Sequence, residues 1–156
     1  MAGVSLLVGY DAGKRTKGRK RHLIVDSLGL IWVVEVHSAS EQDRNALPKM
    51  IDKLFKMNES SGIKKIFADG GYSGKNAREC ESKHKIELEI VKKKGDGFEV
   101  LEKRWVVERT NSWVSSARRM SKDYEKTVDS SINMIYLRMI QLNLKKLTNC
   151  RNYKWK

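Results

Sequence analysis

The chain has 156 residues, of which 40% are hydrophobic, and 32 lysines and arginines against 19 acids give a formal net charge of +13. This length suits one domain with a real core, and the apolar content excludes a disordered chain. The excess of positive charge predicts a polyanionic partner, with nucleic acid favoured over an anionic membrane surface.

No apolar run approaches the roughly 20 residues that span a bilayer, and the first residues lack the charged start of a secretory signal. We therefore expect no membrane association. The two cysteines, Cys80 and Cys150, do not have the spacing of a metal site. They are predicted to be free thiols in a reducing compartment, which favours a cytoplasmic protein.

The first predicted elements are two strands joined by a tight turn. Apolar, β-branched runs flank Asp26-Ser27-Leu28-Gly29, a pattern typical of a β-hairpin over residues 23–37. Residues 14–22 lead into this hairpin with six cations and no acid. Phosphate contact is the favoured role of this run, and a solvated face is the alternative. The candidate phosphate-binding residues are Lys14, Arg15, Lys17, Arg19, Lys20, Arg21 and His22.

Helices and strands alternate through the rest of the chain. The predicted elements are a helix near 47–55, a short buried strand over 64–69, a polar helix over 74–84, a strand over 86–91, a basic loop over 92–97, a helix over 105–113 and a helix from 129 to 147. Pro48 suits the first turn of the first helix, and Ser40 or Asp43 is its predicted cap. A broad apolar stripe predicts that the last helix is well buried. This order predicts an α/β fold with a mixed sheet.

Two acidic residues lie in otherwise apolar or basic stretches. Asp69 ends a predicted strand and precedes two glycines, and Glu108 lies on a later helix. An acid at a strand end projects into the crevice where α/β sheets bind ligands, and glycines let a phosphate backbone approach closely. Their carboxylates are hard oxygen ligands that suit Mg²⁺ or Mn²⁺. The alternative is that Asp69 caps a turn and that Glu108 pairs with Arg104 or Arg109.

Several motifs, in order and with sensible spacing, resemble those of bacterial insertion-sequence DDE transposases. The matching segments are Gly-Tyr-Asp-Ala-Gly-Lys at 9–14, Lys-Gly-Arg-Lys-Arg-His at 17–22, Ala-Asp-Gly-Gly-Tyr-Ser-Gly at 68–74, Arg-Trp-Val-Val-Glu-Arg-Thr at 104–110, and shorter strings at 118–119, 122–125 and 136–140. The resemblance covers about residues 9–147. It is therefore carried by nearly the whole chain.

The resemblance implies a ribonuclease-H-like α/β fold, in which helices flank a mixed sheet, and a two-metal site that uses Mg²⁺ or Mn²⁺. It implies strand cleavage and transfer on double-stranded DNA at transposon ends. By the same resemblance, Asp69 and Glu108 are the second and third acids of the catalytic triad and its metal ligands. Arg109 is expected near the DNA ends.

The chain departs from the family pattern at its start, because the first catalytic aspartate is expected upstream of residues 9–14. Val4–Val8 contains no acid, and neither Asp11 nor Asp26 matches the missing position. Residues 1–156 are therefore predicted to be a single, truncated catalytic domain whose sheet is incomplete at the N-terminus. Our hypothesis is that the isolated chain binds DNA without cleaving it.

Two other functions remain open at this point. The chain is alternatively a non-catalytic DNA-binding fragment that modulates a full-length transposase, or a pseudogene remnant. The expected partners are transposon-end DNA, a second copy of the chain or a full-length transposase. The expected location is the bacterial cytoplasm, in association with the nucleoid.

Overall fold

The computed structural model describes residues 8–57, 62–91 and 104–148. Its strands and α-helices, in chain order, are β1 (Gly9–Asp11), β2 (Thr16–Val25), β3 (Ile31–Ser38), α1 (Ala46–Phe55), β4 (Lys65–Asp69), α2 (Lys75–His84), β5 (Glu87–Val91), α3 (Arg104–Ser115) and α4 (Val128–Thr148). The predicted hairpin, helices and strands are confirmed. The basic run was predicted to lead into the hairpin, and most of it is itself part of β2. The predicted basic loop at 92–97 and Cys150 lie outside the described residues.

The described strands form two sheets. β1, β2 and β3 make an antiparallel sheet in that order, and β4 pairs in parallel with β5. The predicted α/β fold with antiparallel and parallel pairing is confirmed, and it is consistent with a ribonuclease-H-like architecture. In the described part of the chain, however, β2 and β4 do not pair with each other, so the strands form two separate sheets and not one mixed sheet.

The Asp26 carboxylate helps to fix the turn between β2 and β3. Asp26 Oδ1 accepts hydrogen bonds from the backbone N–H groups of Leu28 and Leu30, both at 2.9 Å. Gly29 has a φ of +86°, and a Cβ there would lie 2.7 Å from Thr110 Oγ1. The Thr110 hydroxyl donates to the Gly29 carbonyl at 2.9 Å. Glycine is therefore needed where the hairpin turn docks on α3.

Helices cover both faces of β3. Val33 packs with Met50 and Leu54 of α1, whereas Val34 packs with Val114 and Ile135 of α3 and α4. Successive strand residues point to opposite faces, so α1 lies on one face and α4 on the other. This arrangement buries every residue of β3 from Val33 to His37.

Three predicted details are wrong. The residue at the N-cap position of α1 is Asn45, whose side chain makes no capping hydrogen bond, so neither Ser40 nor Asp43 caps this helix. A short 3₁₀ turn over Asp43–Asn45 directly precedes α1. β4 is only half-buried along its middle, because the described residues place a strand on one of its edges alone.

The third wrong prediction is that α4 is well buried, because this helix buries only Ser131, Ile135 and Met139. Apolar residues on its other side are more than half exposed: Leu137, Ile140, Leu144 and Leu147. β3 and α3 supply its main contacts, so one face is covered and the rest of the stripe is not. Among the described residues, no helix is long and apolar enough to cross a membrane.

Candidate metal and nucleic-acid site

A groove of about 960 Å³ lies between β2 and β4. Its walls come from residues 18–24 of β2 and 66–69 of β4, and its apolar floor includes Leu47 and Ile51 of α1. Arg104 and Glu108 of α3 lie at its rim, with Asp69 at the end of β4. The fold therefore brings both candidate metal ligands to one groove.

Asp69 is the last residue of β4 and is followed by a 3₁₀ turn over Gly70–Tyr72. Its side chain is 57% exposed, and that of Glu108 is 63% exposed. Both carboxylates are therefore solvated at the mouth of the groove and carry little desolvation cost.

One guanidinium contacts both acids. Arg104 Nε lies 3.1 Å from Glu108 Oε1 one helical turn away, and Arg104 Nη2 lies 3.8 Å from Asp69 Oδ2. The ion pair between Glu108 and Arg104, which the sequence left open as an alternative, is present, whereas Arg109 contacts two tryptophan rings and the Leu28 carbonyl. The two acids therefore share a counterion across the groove.

The donors fit Mg²⁺ or Mn²⁺ in type, because both are carboxylate oxygens open to solvent. They do not make a full ligand set, since the described residues contain no group of three or more His, Cys, Asp or Glu side chains that could hold a metal ion. Arg104 at present supplies the positive charge beside both acids. The described residues therefore offer two carboxylates, on β4 and α3, at the mouth of one groove.

Most of the candidate DNA-binding residues line the same groove. They are Lys14, Lys17, Arg19, Lys20, Arg21 and His22. Arg15 lies in the turn between β1 and β2 with a φ of +50°, is exposed, and does not line the groove. Lys14, Arg15 and Lys17 are exposed in and next to the turn between β1 and β2, and none of them has an ion pair among the described residues.

Other cations of the run hold the fold together. Arg19 Nε lies 2.8 Å from Asp123 Oδ2, with the Arg19 side chain only 5% exposed, and Arg19 also donates to the Glu125 carbonyl. Lys20 Nζ lies 3.0 Å from Asp43 Oδ1 and 3.4 Å from Asp11 Oδ2. Burial opposes the charge of Lys20, but these carboxylates outweigh it and raise the pKa of its ammonium group. The basic run therefore divides into structural and free cations.

His22, a candidate phosphate-binding residue, is buried. Its Nδ1 is hydrogen-bonded to the Tyr72 hydroxyl, and its ring stacks on His37 with 4.5 Å between centroids. Burial, and then the neighbouring His37, lower the pKa of His22 to about 4. His22 is thus neutral near pH 7 and adds no positive charge. Sequence reasoning missed this bridge from β2 to the turn after Asp69, since no local pattern links these residues.

Arg109 lies outside the groove. Its guanidinium sits between the rings of Trp105 and Trp113, 4.3 Å and 4.7 Å from their centroids. Its Nη2 donates to the Leu28 carbonyl at 2.9 Å, which ties α3 to the hairpin turn. The contact with DNA ends implied for Arg109 stays a prediction.

The α/β fold and the carboxylate pair beside a basic groove agree with the class of protein that the motifs resemble. The sequence profile of the family described as transposase DDE domain matches residues 4–144. The chain belongs to this family, and the resemblance seen in its motifs is confirmed.

One curated relative is a putative transposase for insertion sequence element IS402 from Burkholderia cepacia. It is 29% identical to the chain over 118 residues, which cover 72% of the chain and 56% of the relative. The chain thus spans little more than half the length of that relative. No solved structure gives a significant match.

Proposed function

We propose that the chain is the part of a transposase that holds double-stranded DNA at transposon ends and supplies two carboxylates for metal-dependent strand cleavage and transfer. The observation that carries the proposal is that Asp69 and Glu108 meet at Arg104 beside a groove lined with cations. Membership of the transposase DDE domain family supports DNA transposition as the wider function.

The free cations are the proposed phosphate contacts. Lys14 and Lys17 line one end of the groove and Arg15 lies in the adjoining turn, and all three are exposed, so that the phosphate backbone of a duplex reaches them without displacing an ion pair. Such contacts are independent of base sequence and weaken as salt rises. A nucleoid location in a bacterial cell follows from this mode of binding.

Asp69 and Glu108 are the proposed ligands of Mg²⁺ or Mn²⁺. When bound, such ions neutralise charge on the transferring phosphoryl group and activate the attacking hydroxyl. The chain's own residues hold the ion and place it beside the basic groove. With two described acids instead of three, we propose that the isolated chain binds DNA and does not cleave it.

A second candidate function is favoured by Arg104. Its guanidinium neutralises both acids, which suits a non-catalytic DNA-binding chain that modulates a full-length transposase through shared ends or mixed oligomers. A pseudogene remnant remains the alternative without function.

The test combines binding and cleavage on duplexes that carry the terminal repeats of the insertion sequence. We expect binding that falls steeply between low and moderate salt, and no cleavage by the pure chain with Mg²⁺ or Mn²⁺. A DNA affinity that does not change with salt concentration would contradict the proposed phosphate contacts. Robust cleavage that is abolished by Asp69→Ala would contradict the inactivity of the isolated chain.

Addition of the chain to an active full-length transposase separates the two functions. A fall in cleavage as the chain is added supports the modulator. Metal-dependent cleavage that appears only when both proteins are present, and is lost with Asp69→Ala in this chain, supports a catalytic part.

A further inference from the structure

The turn that follows Asp69 carries no side chain before that of Tyr72. Asp69 ends β4, and two glycines separate it from Tyr72 in a 3₁₀ turn. The backbone N–H of Ser73 donates to the Gly70 carbonyl at 3.1 Å, which closes the turn. Because such a turn is tight, a contact that holds Tyr72 also limits the movement of Asp69. Tyr72 is therefore the first side chain after Asp69 that can anchor the end of β4.

Tyr72 is anchored to β2, which forms the opposite wall of the groove. Its hydroxyl is hydrogen-bonded to His22 Nδ1, and the two rings meet edge to face with 5.7 Å between their centroids. Both residues line the groove. Tyr72 also packs against the apolar cluster that contains Leu47 and Ile51 of α1. The residue therefore connects the wall that carries Asp69 with the wall that carries the cations.

The protonation states of the two rings favour donation by Tyr72. Burial, and then the charges of Asp43 and Asp69, raise the pKa of the Tyr72 hydroxyl, so it is protonated near pH 7. His22 is neutral there, and its Nε2 is buried without a hydrogen-bond partner among the described residues. Donation from His22 would leave both this Nε2 and the Tyr72 O–H unpaired. The hydroxyl is therefore the donor, and His22 Nδ1 is the acceptor.

The acceptor is fixed to the cationic side of the groove. The His22 side chain is held within the sheet, because its ring stacks on His37 of β3 with 4.5 Å between centroids. His37 Nδ1 in turn donates to the carbonyl of the next residue at 2.8 Å. Lys17, one of the proposed phosphate contacts, lies on the same strand as His22. The hydrogen bond from Tyr72 therefore links the place of Asp69 to that of the phosphate-binding wall.

We propose that Tyr72 is a positioning residue for Asp69, and that the hydrogen bond from its hydroxyl to His22 holds this metal ligand in place against the cationic wall of the groove. The inference rests on the proposed function, in which Asp69 binds Mg²⁺ or Mn²⁺. Tyr72 acts through the turn and not by contact with the ion. Groups that orient a metal ligand commonly change metal affinity tenfold or more when they are removed.

The experiment compares the parent chain with Tyr72→Phe, which keeps the ring and loses the hydroxyl. Without metal, NMR relaxation should show that the backbone order parameter of Gly71 falls from about 0.85 to below about 0.6, because the turn has lost its anchor. With metal, Mn²⁺ affinity measured by titration calorimetry should fall about tenfold.

Tyr136→Phe is the matched control, since it also removes the hydroxyl of a hydrogen-bonded tyrosine. Tyr136 Oη accepts from the Val34 N–H at 3.1 Å, and the residue lies on α4, on the other face of β3 from α1. We expect this variant to lower the midpoint of urea unfolding about as much as Tyr72→Phe does. The order of Gly71 and the affinity for Mn²⁺ should stay unchanged, whereas a hydroxyl with a structural role alone would affect both variants alike.

Two substitutions of His22 test the acceptor. His22→Asn places an amide oxygen close to the position of Nδ1, whereas His22→Leu has no hydrogen-bonding group. Both lose the stack on His37, so the difference between them reports on the hydrogen bond. We expect Gly71 to stay ordered in His22→Asn and to lose order in His22→Leu.

An unchanged order parameter of Gly71 in Tyr72→Phe would overturn the inference. So would a Mn²⁺ affinity that is unchanged in Tyr72→Phe, or that falls equally in Tyr136→Phe. Failure of the parent chain to bind Mn²⁺ contradicts the proposed function instead. In that case the order of Gly71 in the metal-free variants still decides whether Tyr72 positions Asp69.

Discussion

Asp69 and Glu108 lie on different elements and share one counterion, with the Arg104 guanidinium 3.8 Å from the first carboxylate and 3.1 Å from the second. The ion pair from Arg104 to Glu108 is local to α3, whereas the contact with Asp69 depends on how α3 packs beside β4. This relationship is the basis of the proposed metal site. It also makes Arg104 a competitor of any cation that binds there.

Removing this competitor should strengthen metal binding. For Arg104→Gln we expect Mn²⁺ affinity to rise about fivefold, since a unit charge about 4 Å away in solvent is worth about 1 kcal/mol. Titration calorimetry on the folded variant measures it. Arg78→Gln, an exposed change on α2, is the control and should leave affinity as it is. An unchanged affinity in Arg104→Gln would show that the guanidinium does not compete at the metal site.

The free cations should set the salt dependence of DNA binding. The double change Lys14→Gln and Lys17→Gln should lower the slope of log affinity against log salt by about 2, because each phosphate contact releases about one counterion. Fluorescence anisotropy over a salt series measures the slope. The double change Lys49→Gln and Lys56→Gln removes the same charge from exposed positions on α1 and at its end. Equal slopes for the two variants would rule out local contacts at the groove.

His22 should make stability depend on pH. Its folded pKa of about 4 lies below the usual 6.5, so the unfolded chain binds more protons between these values. The free energy of unfolding therefore has its full contribution from His22 above about pH 6.5. It falls by about 3 kcal/mol in all as the pH drops towards 4. Urea unfolding at pH 7 and pH 4.5 measures the change.

His22→Gln should flatten this pH dependence relative to the parent chain. An NMR titration of the His22 ring gives the same information without a variant. A midpoint near 6.5 in the folded chain would contradict the effect of burial.

The hairpin turn should be sensitive to a side chain at Gly29. Gly29→Ala places a Cβ at a φ of +86° and 2.7 Å from Thr110 Oγ1, so we expect a loss of about 2–3 kcal/mol. Gly18→Ala is the matched change within β2, where a Cβ meets nothing within 4 Å. Thermal unfolding should show a lower midpoint for the first variant and little change for the second. Equal midpoints would mean that the turn can rearrange at no cost.

Local patterns in the sequence were sufficient to predict the order of the helices and strands. The turn at 26–29 and the helix at 75–84 depend on residues a few positions apart, so their signals survive without knowledge of the fold. The family motifs likewise marked Asp69 and Glu108 as candidate ligands. The burial of α4 was mispredicted, because an apolar stripe does not reveal how many neighbours will cover it.

The sequence by itself determined the order of helices and strands, the family, the excess of positive charge and the two candidate acids. Only the tertiary structure decided that these acids meet at Arg104, that His22 is buried beneath Tyr72, and that Arg109 is held between two tryptophans. The physical reason is distance along the chain. Propensity and periodicity act within a few residues, whereas burial and pairing depend on which remote elements pack together.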